Sequence, residues 1–347
     1  MSLGLAVIKA AGNRCNLRCR YCYTLSEARQ NFMLDRTLKR VIKAISELDP
    51  LPIFFWGGGE PLLRGKDFFK KVLDLQSRFC GNRNAINSLQ TNGTLLDIEW
   101  IDLFKQYNFQ IGVSWDGRND SSRVTPNGEA ISDNVWGRIE LCLREGLSLG
   151  IIMVITKQNE RFVSETARLL YSRGVKSLLL KPYIGETEEL SLDSASYAEV
   201  ICGLLDLWLD IGDKNWIIEP LHSFVRVLSG NFSEVACQLT NNCGNFLTIE
   251  SNGDISCCDF IPQRLVFGNV HTMNIYDVFK KSNYREFVKK LKTNPEGCFN
   301  CKWVHLCSGG CLHYRKFNLH FRQWEQYSLC EATKKIFDYC GKQLEKT

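Results

Sequence analysis

The sequence predicts an α/β fold: a partial, TIM-like (β/α)6 barrel over residues 1–222, followed by a small cysteine-rich α+β domain over residues 223–347. Two observations predict it. Up to about residue 220, apolar strand-like runs alternate with amphipathic segments, which implies parallel strands joined by right-handed crossovers. Beyond that point the alternation stops and cysteines become dense. Six strand–helix units are two short of a closed barrel of eight, so an open barrel is expected.

The predicted elements follow in order along the chain. The strands are residues 5–10, 52–56, 85–90, 110–114, 149–156 and 175–180. The helices are residues 35–48, 66–79, 97–107, 134–145, 160–172 and 193–209. In the second domain, residues 246–256 predict a β-hairpin around Asn252-Gly253. Little apolar material surrounds it, so bound metal is expected to stabilise this domain.

Glycine, cysteine and polar residues follow the ends of most of these strands. Residues 15–22 follow the first strand, 57–61 the second and 91–93 the third, while 114–117 end the fourth and 181–183 end the sixth. Because the carboxyl ends of parallel strands meet on one face, we expect a site there. One glycine-rich turn is usually only a turn, but a shared face is hard to obtain by accident.

Size and charge exclude several classes of protein. The 347 residues, 44% of them hydrophobic, can bury a large core. The apolar runs are too short to span a bilayer, and nothing resembling a signal peptide precedes Cys15, so we expect a soluble, cytoplasmic protein with no membrane partner. The net charge of +5 is modest, and lysines 280, 281, 289, 290 and 292 are spaced like the exposed face of a helix, so no nucleic-acid partner is expected.

Eleven of the sixteen cysteines fall into three groups with metal-ligand spacing. The groups are Cys15, Cys19 and Cys22; Cys237, Cys243 and Cys258; and Cys298, Cys301, Cys307, Cys311 and Cys330. Soft thiolates in such groups select zinc or iron–sulfur clusters. Disulfide scaffolds are usually much shorter, secreted chains. Zinc is the rival for the last group, because Cys298-x2-Cys301 resembles a zinc-ribbon half-site.

The motif Cys15-x3-Cys19-x2-Cys22, with the aromatic Tyr21 before its last cysteine, resembles the radical S-adenosylmethionine (SAM) superfamily. The C-terminal cysteines resemble its SPASM extension, and segments 87–95 and 258–260 resemble the anaerobic sulfatase-maturating enzymes. The resemblance implies SAM and three [4Fe–4S] clusters as cofactors. Three cysteines leave one iron open for SAM, whose reductive cleavage gives a 5′-deoxyadenosyl radical that abstracts hydrogen from unactivated carbon.

The resemblance also implies residues that bind these cofactors. For SAM, besides Tyr21, they are Gly58, Gly59 and Glu60 at the amino group, Ser114 at the ribose or carboxylate, Arg123 at the carboxylate and Leu178 or Leu180 at the adenine. A solvated loop arginine is the alternative for Arg123. Cys237, Cys243, Cys258 and Cys311 resemble the ligands of the first auxiliary cluster, and Cys298, Cys301, Cys307 and Cys330 those of the second. Each auxiliary set is complete, so electron transfer is its implied role. Cys257 could compete with Cys258, but the spacing from Gly253 favours Cys258.

Asp259 aligns with the aspartate proposed as the catalytic base in sulfatase maturation. A carboxylate beside an anionic cluster suits a proton acceptor, because like charge favours its protonated form. A hydrogen-bonded turn residue is the alternative. The substrate pocket departs from that family, which has glutamine where Gly57 stands, tyrosine where Thr24 stands, and a different sequence at residues 181–183. The cluster-binding cysteines match that family, whereas the residues expected to face the substrate do not, and this difference suggests another peptide substrate.

The leading hypothesis is therefore a radical SAM oxidoreductase that matures a ribosomally made peptide or protein by oxidation, cross-linking or backbone rearrangement. The alternatives are conversion of a sulfatase Cys or Ser to formylglycine, a small-molecule dehydrogenase or epimerase, and a non-enzymatic zinc protein. Expected partners are the peptide or protein substrate and an external electron donor of the flavodoxin or ferredoxin type. The fourteen residues before Cys15 cannot form a leader-binding domain, so a substrate with a leader would need a separate leader-peptide-binding protein.

Overall fold

The computed structural model describes residues 5–25, 30–48, 50–81, 85–240, 242–260, 265–291, 293–318 and 323–346. The chain packs into two compact units, each built from several segments. The first unit contains Met1–Ser114, Arg123–Leu149 and Cys243–Lys290. The second contains Trp115–Ser122, Gly150–Asn242 and Leu291–Thr347. These units reflect packing alone, so the domain boundary between residues 222 and 223 stays a prediction.

Parallel strands joined by helices form the core of the first unit. The strands are β1 (Leu5–Ile8), β2 (Ile53–Trp56), β3 (Ile86–Thr91) and β4 (Gln110–Ser114), and the helices are α1 (Asp35–Ser46), α2 (Lys66–Cys80), α3 (Ile98–Gln106) and α4 (Ser132–Arg144). Trp56 lies opposite Ile8 on one side and Leu89 on the other. The Phe69 ring packs edge-on against those of Trp56 and Trp100, at centroid distances of 5.7 and 5.6 Å. The predicted strand–helix order is confirmed in this unit.

A later hairpin extends the same sheet. It consists of β8 (Phe246–Ile249) and β9 (Asp254–Ser256), joined antiparallel, and β10 (Val266–Asn269) follows next to β9. The predicted hairpin at Asn252-Gly253 is confirmed, and Gly253 has a φ of +91°, which glycine adopts without strain. The sequence did not predict that β8 pairs in parallel with β1, with Ile8 opposite Ile249. Strand β1 is therefore hydrogen-bonded on both edges, to β2 and to β8.

The second unit carries the remaining parallel strands and the last cysteines. Its strands β5 (Leu149–Ile155), β6 (Ser177–Pro182) and β7 (Ile217–Glu219) are parallel, with Leu178 opposite Ile151 and Ile218. Helices α5 (Val163–Ser172), α6 (Ser194–Ile211), α7 (Leu221–Leu228), α8 (Cys237–Thr240), α11 (Val304–Cys307) and α12 (Cys330–Leu344) belong to it, as does the antiparallel pair β11 (Arg315–Asn318) and β12 (Gln323–Tyr327). The first unit also holds α9 (Ile275–Val278) and most of α10 (Ser282–Leu291).

Helix α5 begins later than predicted because Glu160–Phe162 form a 3₁₀ turn. Strand β7 was not predicted at all. Of the helices in the described residues, none is long and apolar enough to cross a membrane.

Candidate active site and cluster sites

The three N-terminal cysteines lie on the loop that follows β1. The Cys22 amide donates a hydrogen bond to the Cys19 carbonyl at 2.9 Å, which curls the loop. The Cys15 sulfur accepts hydrogen bonds from the Leu17 amide at 3.4 Å and from the Asn92 side-chain amide at 3.5 Å. Burial raises the pKa of the Cys15 thiol, and these two hydrogen bonds oppose the shift. Donors aimed at a sulfur fit a thiolate ligand of a cluster.

Glu60 holds the loops after β2 and β3 together. Its carboxylate is fully buried and accepts hydrogen bonds from the Leu62 amide at 2.9 Å, the Thr91 hydroxyl at 2.8 Å and the Asn92 amide at 2.6 Å. Burial raises the pKa of Glu60, while these hydrogen bonds and the charge of Arg123 oppose that shift. The carboxylate thus joins the loop after β2 to the loop after β3, where Asn92 reaches the Cys15 sulfur, and its contact with SAM stays a prediction.

Gly58 and Gly59 bring the loop after β2 close to the neighbouring chain. Both have positive φ values, +72° and +53°. A Cβ on Gly59 would lie 2.3 Å from the Arg14 carbonyl oxygen, which accepts a hydrogen bond from the Glu60 amide at 2.8 Å. A Cβ on Gly58 would lie 2.5 Å from Cγ of Lys9. Glycine is therefore required at Gly59 by the approach of the Arg14 backbone, and at Gly58 by its positive φ and the packed Lys9 side chain.

The other residues predicted to bind SAM lie at the end of β4, in the segment between β4 and α4, and in β6. Arg123 is only 5% exposed and donates a hydrogen bond to the Tyr21 hydroxyl at 3.0 Å, so it is not a solvated loop arginine. Ser114 ends β4 and accepts a hydrogen bond from the Gln90 side chain at 2.8 Å. Leu178 lies buried in β6 of the second unit. Their contacts with SAM stay predictions.

Asp259 sits in a network of charged and polar side chains. The Lys9 ammonium lies 3.1 Å from Oδ1 of Asp259 and 3.5 Å from Oε2 of Glu250, and the Tyr23 hydroxyl donates a hydrogen bond to Oδ2 of Asp259. Sequence reasoning missed Lys9, Glu250 and Tyr23. The available signals were a charged residue directly after an apolar strand, for Lys9 and Glu250, and an aromatic residue directly after Cys22.

The second predicted auxiliary set comes together in the second unit. Cys298, Cys301, Cys307 and Cys330 all line one cavity. Burial raises the pKa of the Cys307 thiol to about 12, and the neighbouring charges of Cys330 and Cys298 add to the shift. Four thiols around one cavity fit a four-thiolate cluster. Within the described ranges, no three His, Cys, Asp or Glu side chains converge closely enough to hold a single ion. The thiolates of a four-iron cluster bind different irons and stand further apart.

A buried arginine fixes the loop that follows Cys307. Arg315 is 2% exposed and donates hydrogen bonds to the carbonyls of Gly309 at 2.8 Å and Gly310 at 3.0 Å. Its charge opposes the rise in the pKa of Cys298 and Cys307. Arg315 therefore holds the backbone of a ligand loop and stabilises thiolates.

The first predicted auxiliary set is divided between the two units. Cys243 and Cys258 belong to the first unit, and Cys237 and Cys311 belong to the second. Within the second unit, burial raises the pKa of Cys311 and the charge of Cys237 adds to the shift, so these two thiols are neighbours. The assembly of all four stays a prediction.

Comparison with known proteins identifies the family. The model of the radical SAM superfamily matches residues 11–170, and that of the SPASM iron–sulfur cluster-binding domain matches residues 237–302. The chain is a radical SAM enzyme with a SPASM domain. These matches confirm the predicted fold class, a partial (β/α)6 barrel with a cysteine-rich domain. They also confirm the predicted cofactors, SAM and [4Fe–4S] clusters.

Among similar proteins are sulfatase-maturating enzymes. The cysteine-type anaerobic sulfatase-maturating enzyme of Clostridium perfringens (strain 13 / Type A) is 29% identical over 97% of this radical SAM/SPASM chain and 96% of its own length. The serine-type anaerobic enzyme of Bacteroides thetaiotaomicron is 25% identical over 88% of this chain and 81% of its own. The solved structure of native anSMEcpe with bound AdoMet and Cp18Cys peptide matches with a TM-score of 0.89 and 28% identity, covering 98% of this chain and 97% of that one.

Proposed function

We propose that this radical SAM/SPASM enzyme oxidises a side chain of a peptide or protein substrate and that Asp259 accepts the proton. The observation that supports this most is the setting of Asp259. Its carboxylate is 8% exposed, is held at Oδ1 by Lys9 and at Oδ2 by Tyr23, and directly follows Cys258. A fixed, nearly dry carboxylate is suited to general-base work.

Different residues of the chain bind the cofactors and accept the proton in this proposal. When bound, SAM and the clusters supply a hydrogen-abstracting radical and an electron acceptor. Cys15, Cys19 and Cys22 would hold the radical cluster, with Asn92 and Glu60 bracing their loop. Oxidation of a substrate carbon removes a hydrogen atom, a proton and an electron in total. Asp259 takes the proton on its carboxylate. The external electron donor and a separate leader-binding protein remain part of the proposal.

Conversion of Cys or Ser to formylglycine is the second candidate. Its support is the 29% identity with the cysteine-type maturating enzyme over nearly the whole of both chains. The residues at Gly57 and Thr24 argue for a different substrate, since they differ from the maturating enzymes where the pocket is expected. Anaerobic incubation with a Cys peptide and a Ser peptide of sulfatase type tests the second candidate. A Cys or Ser peptide of sulfatase type that gains an aldehyde, detected by mass spectrometry, favours formylglycine formation.

An Asp259→Asn variant tests the proposed base. It should still cleave SAM to 5′-deoxyadenosine, because the radical-cluster cysteines are untouched. Oxidised peptide should form on the order of 100-fold more slowly, the usual scale for a positioned base. Asp277→Asn is the matched control in the same unit, because Asp277 pairs with the exposed Lys280. Wild-type product formation by the Asp259 variant would remove it from the mechanism.

A further inference from the structure

Lys9 is buried at a point where charge is costly. It is 0% exposed and directly follows β1, and its amide donates a hydrogen bond to the Ile249 carbonyl at 2.9 Å. Because Ile8 lies opposite Ile249, the parallel pairing sets Lys9 beside Glu250, the residue after β8. An ammonium without partners would be strongly unfavourable there.

Two carboxylates share this one ammonium. Glu250 approaches Nζ of Lys9 to 3.5 Å and Asp259 to 3.1 Å, and both carboxylates are buried. Glu250 and Asp259 would repel each other without a cation between them. The aliphatic stem of Lys9 lies beneath Gly58, whose added Cβ would meet Cγ at 2.5 Å. Two contacts therefore fix the ammonium: the packing of its aliphatic stem against Gly58, and the ion pair with Glu250.

We propose that Lys9 is a positioning residue for Asp259. Glu250 anchors the ammonium, and the ammonium fixes Oδ1 of Asp259. Oδ2 accepts the Tyr23 hydrogen bond, so the carboxylate is held at both of its oxygens. This inference rests on the proposed function of Asp259 and adds that a single buried lysine sets the geometry of that carboxylate.

The test uses the complete enzyme and the variant Lys9→Met. Methionine keeps a flexible stem beneath Gly58 and removes the ammonium. Product kcat should fall on the order of 10- to 100-fold, because misplacing a reacting group by about 1 Å costs that much. The peptide KM and the rate of 5′-deoxyadenosine formation should stay near the wild-type values, so the ratio of 5′-deoxyadenosine to product rises. Wild-type product formation by Lys9→Met would overturn the inference.

The double variant Lys9→Met/Glu250→Gln separates positioning from simple charge balance. It also replaces one of the two buried carboxylates that Lys9 contacts by a neutral amide, so the thermal unfolding temperature of the cluster-free protein should recover from any loss caused by Lys9→Met alone. Product formation should not recover, because Asp259 still lacks its ammonium. Recovery of both would show that Lys9 only neutralises Glu250 and would overturn the inference. If Lys9→Met does not fold, product formation is measured with the double variant instead.

Lys66→Met is the matched control. Lys66 likewise bridges two carboxylates in the first unit, Asp97 at 2.8 Å and Glu99 at 2.9 Å. Its replacement should leave the ratio of 5′-deoxyadenosine to product unchanged. Asp259→Asn, assayed beside these variants, keeps the two ideas distinct. If that variant retains product formation, the proposed function fails. If it loses product formation while the Lys9 variants do not, only the inference about Lys9 fails.

Discussion

The two best-defined cysteine regions of the molecule differ in how many thiols they offer and in what surrounds them. The loop after β1 offers three, Cys15, Cys19 and Cys22, while the cavity of the second unit is lined by four. Three ligands leave one iron of a cubane open, whereas four close it. The open set is suited to binding SAM and the closed set to electron transfer and to holding the fold.

The two regions also differ in the charged side chain that lies near their thiols. Near the loop after β1, the buried carboxylate of Glu60 adds to the rise in the pKa of Cys15. Near the cavity, the guanidinium of Arg315 opposes the rise in the pKa of Cys307. Hydrogen bonds oppose the rise in pKa at both sites, from Leu17 and Asn92 at Cys15 and from the backbone of Gly309 at Cys307, and Arg315 adds a favourable charge at the closed site.

Removing the open set should have the largest effect. The triple variant Cys15→Ala/Cys19→Ala/Cys22→Ala should lose SAM cleavage altogether. Its iron content should fall from about twelve to about eight per chain after anaerobic reconstitution, as expected for one cubane of three. Iron analysis and a 5′-deoxyadenosine assay measure both effects. Zinc in place of iron at the C-terminal sites of the wild-type protein would contradict this assignment.

The closed set should matter more for stability than for SAM cleavage. Helix α12 offers a matched pair, because Cys330 at its start lines the cavity and Cys340 further along is buried elsewhere. Cys330→Ala should lose about four irons and several kcal/mol of unfolding free energy, since metal binding supplies folding energy. Cys340→Ala should cost only about 1 kcal/mol, for a small cavity. Circular dichroism melts with iron analysis compare them, and equal losses in both variants would refute the cluster assignment for Cys330.

The smallest expected effects come from two glycines of the second unit. Gly310 has a φ of +78°, and an added Cβ would lie 2.3 Å from the Tyr327 ring, so Gly310→Ala should destabilise the unit by about 1–3 kcal/mol. Gly341 lies inside α12 with open space around it, so Gly341→Ala should stabilise by about 0.5–1 kcal/mol. Thermal melts of the iron-loaded proteins give the sign directly. A stabilising Gly310→Ala would show that the ligand loop is not tightly packed.

The sequence predicted the parts of the molecule that local patterns encode. The alternation of apolar runs set the order of strands and helices. The cysteine spacing marked a C-terminal group of five, and the resemblance to the SPASM extension chose from it Cys298, Cys301, Cys307 and Cys330, which line one cavity. The pairing of β1 with β8 could not be predicted, because local sequence patterns do not indicate which distant strand pairs with the second edge of β1. For the same reason Lys9 was missed, since its partners are set by that pairing and by a residue 250 positions away.

The pairing of β1 with β8 has a consequence for how the protein is made. A ribosome releases the N-terminal segment first, and contacts between distant residues form late because a long loop must close. Strand β1 and the loop with Cys15 therefore emerge long before β8, Glu250 and Asp259 exist. We expect the first cysteines to be open to iron–sulfur delivery during synthesis, before the hairpin pairs with β1. Assembly of the cofactor and completion of the sheet would then follow the order of translation.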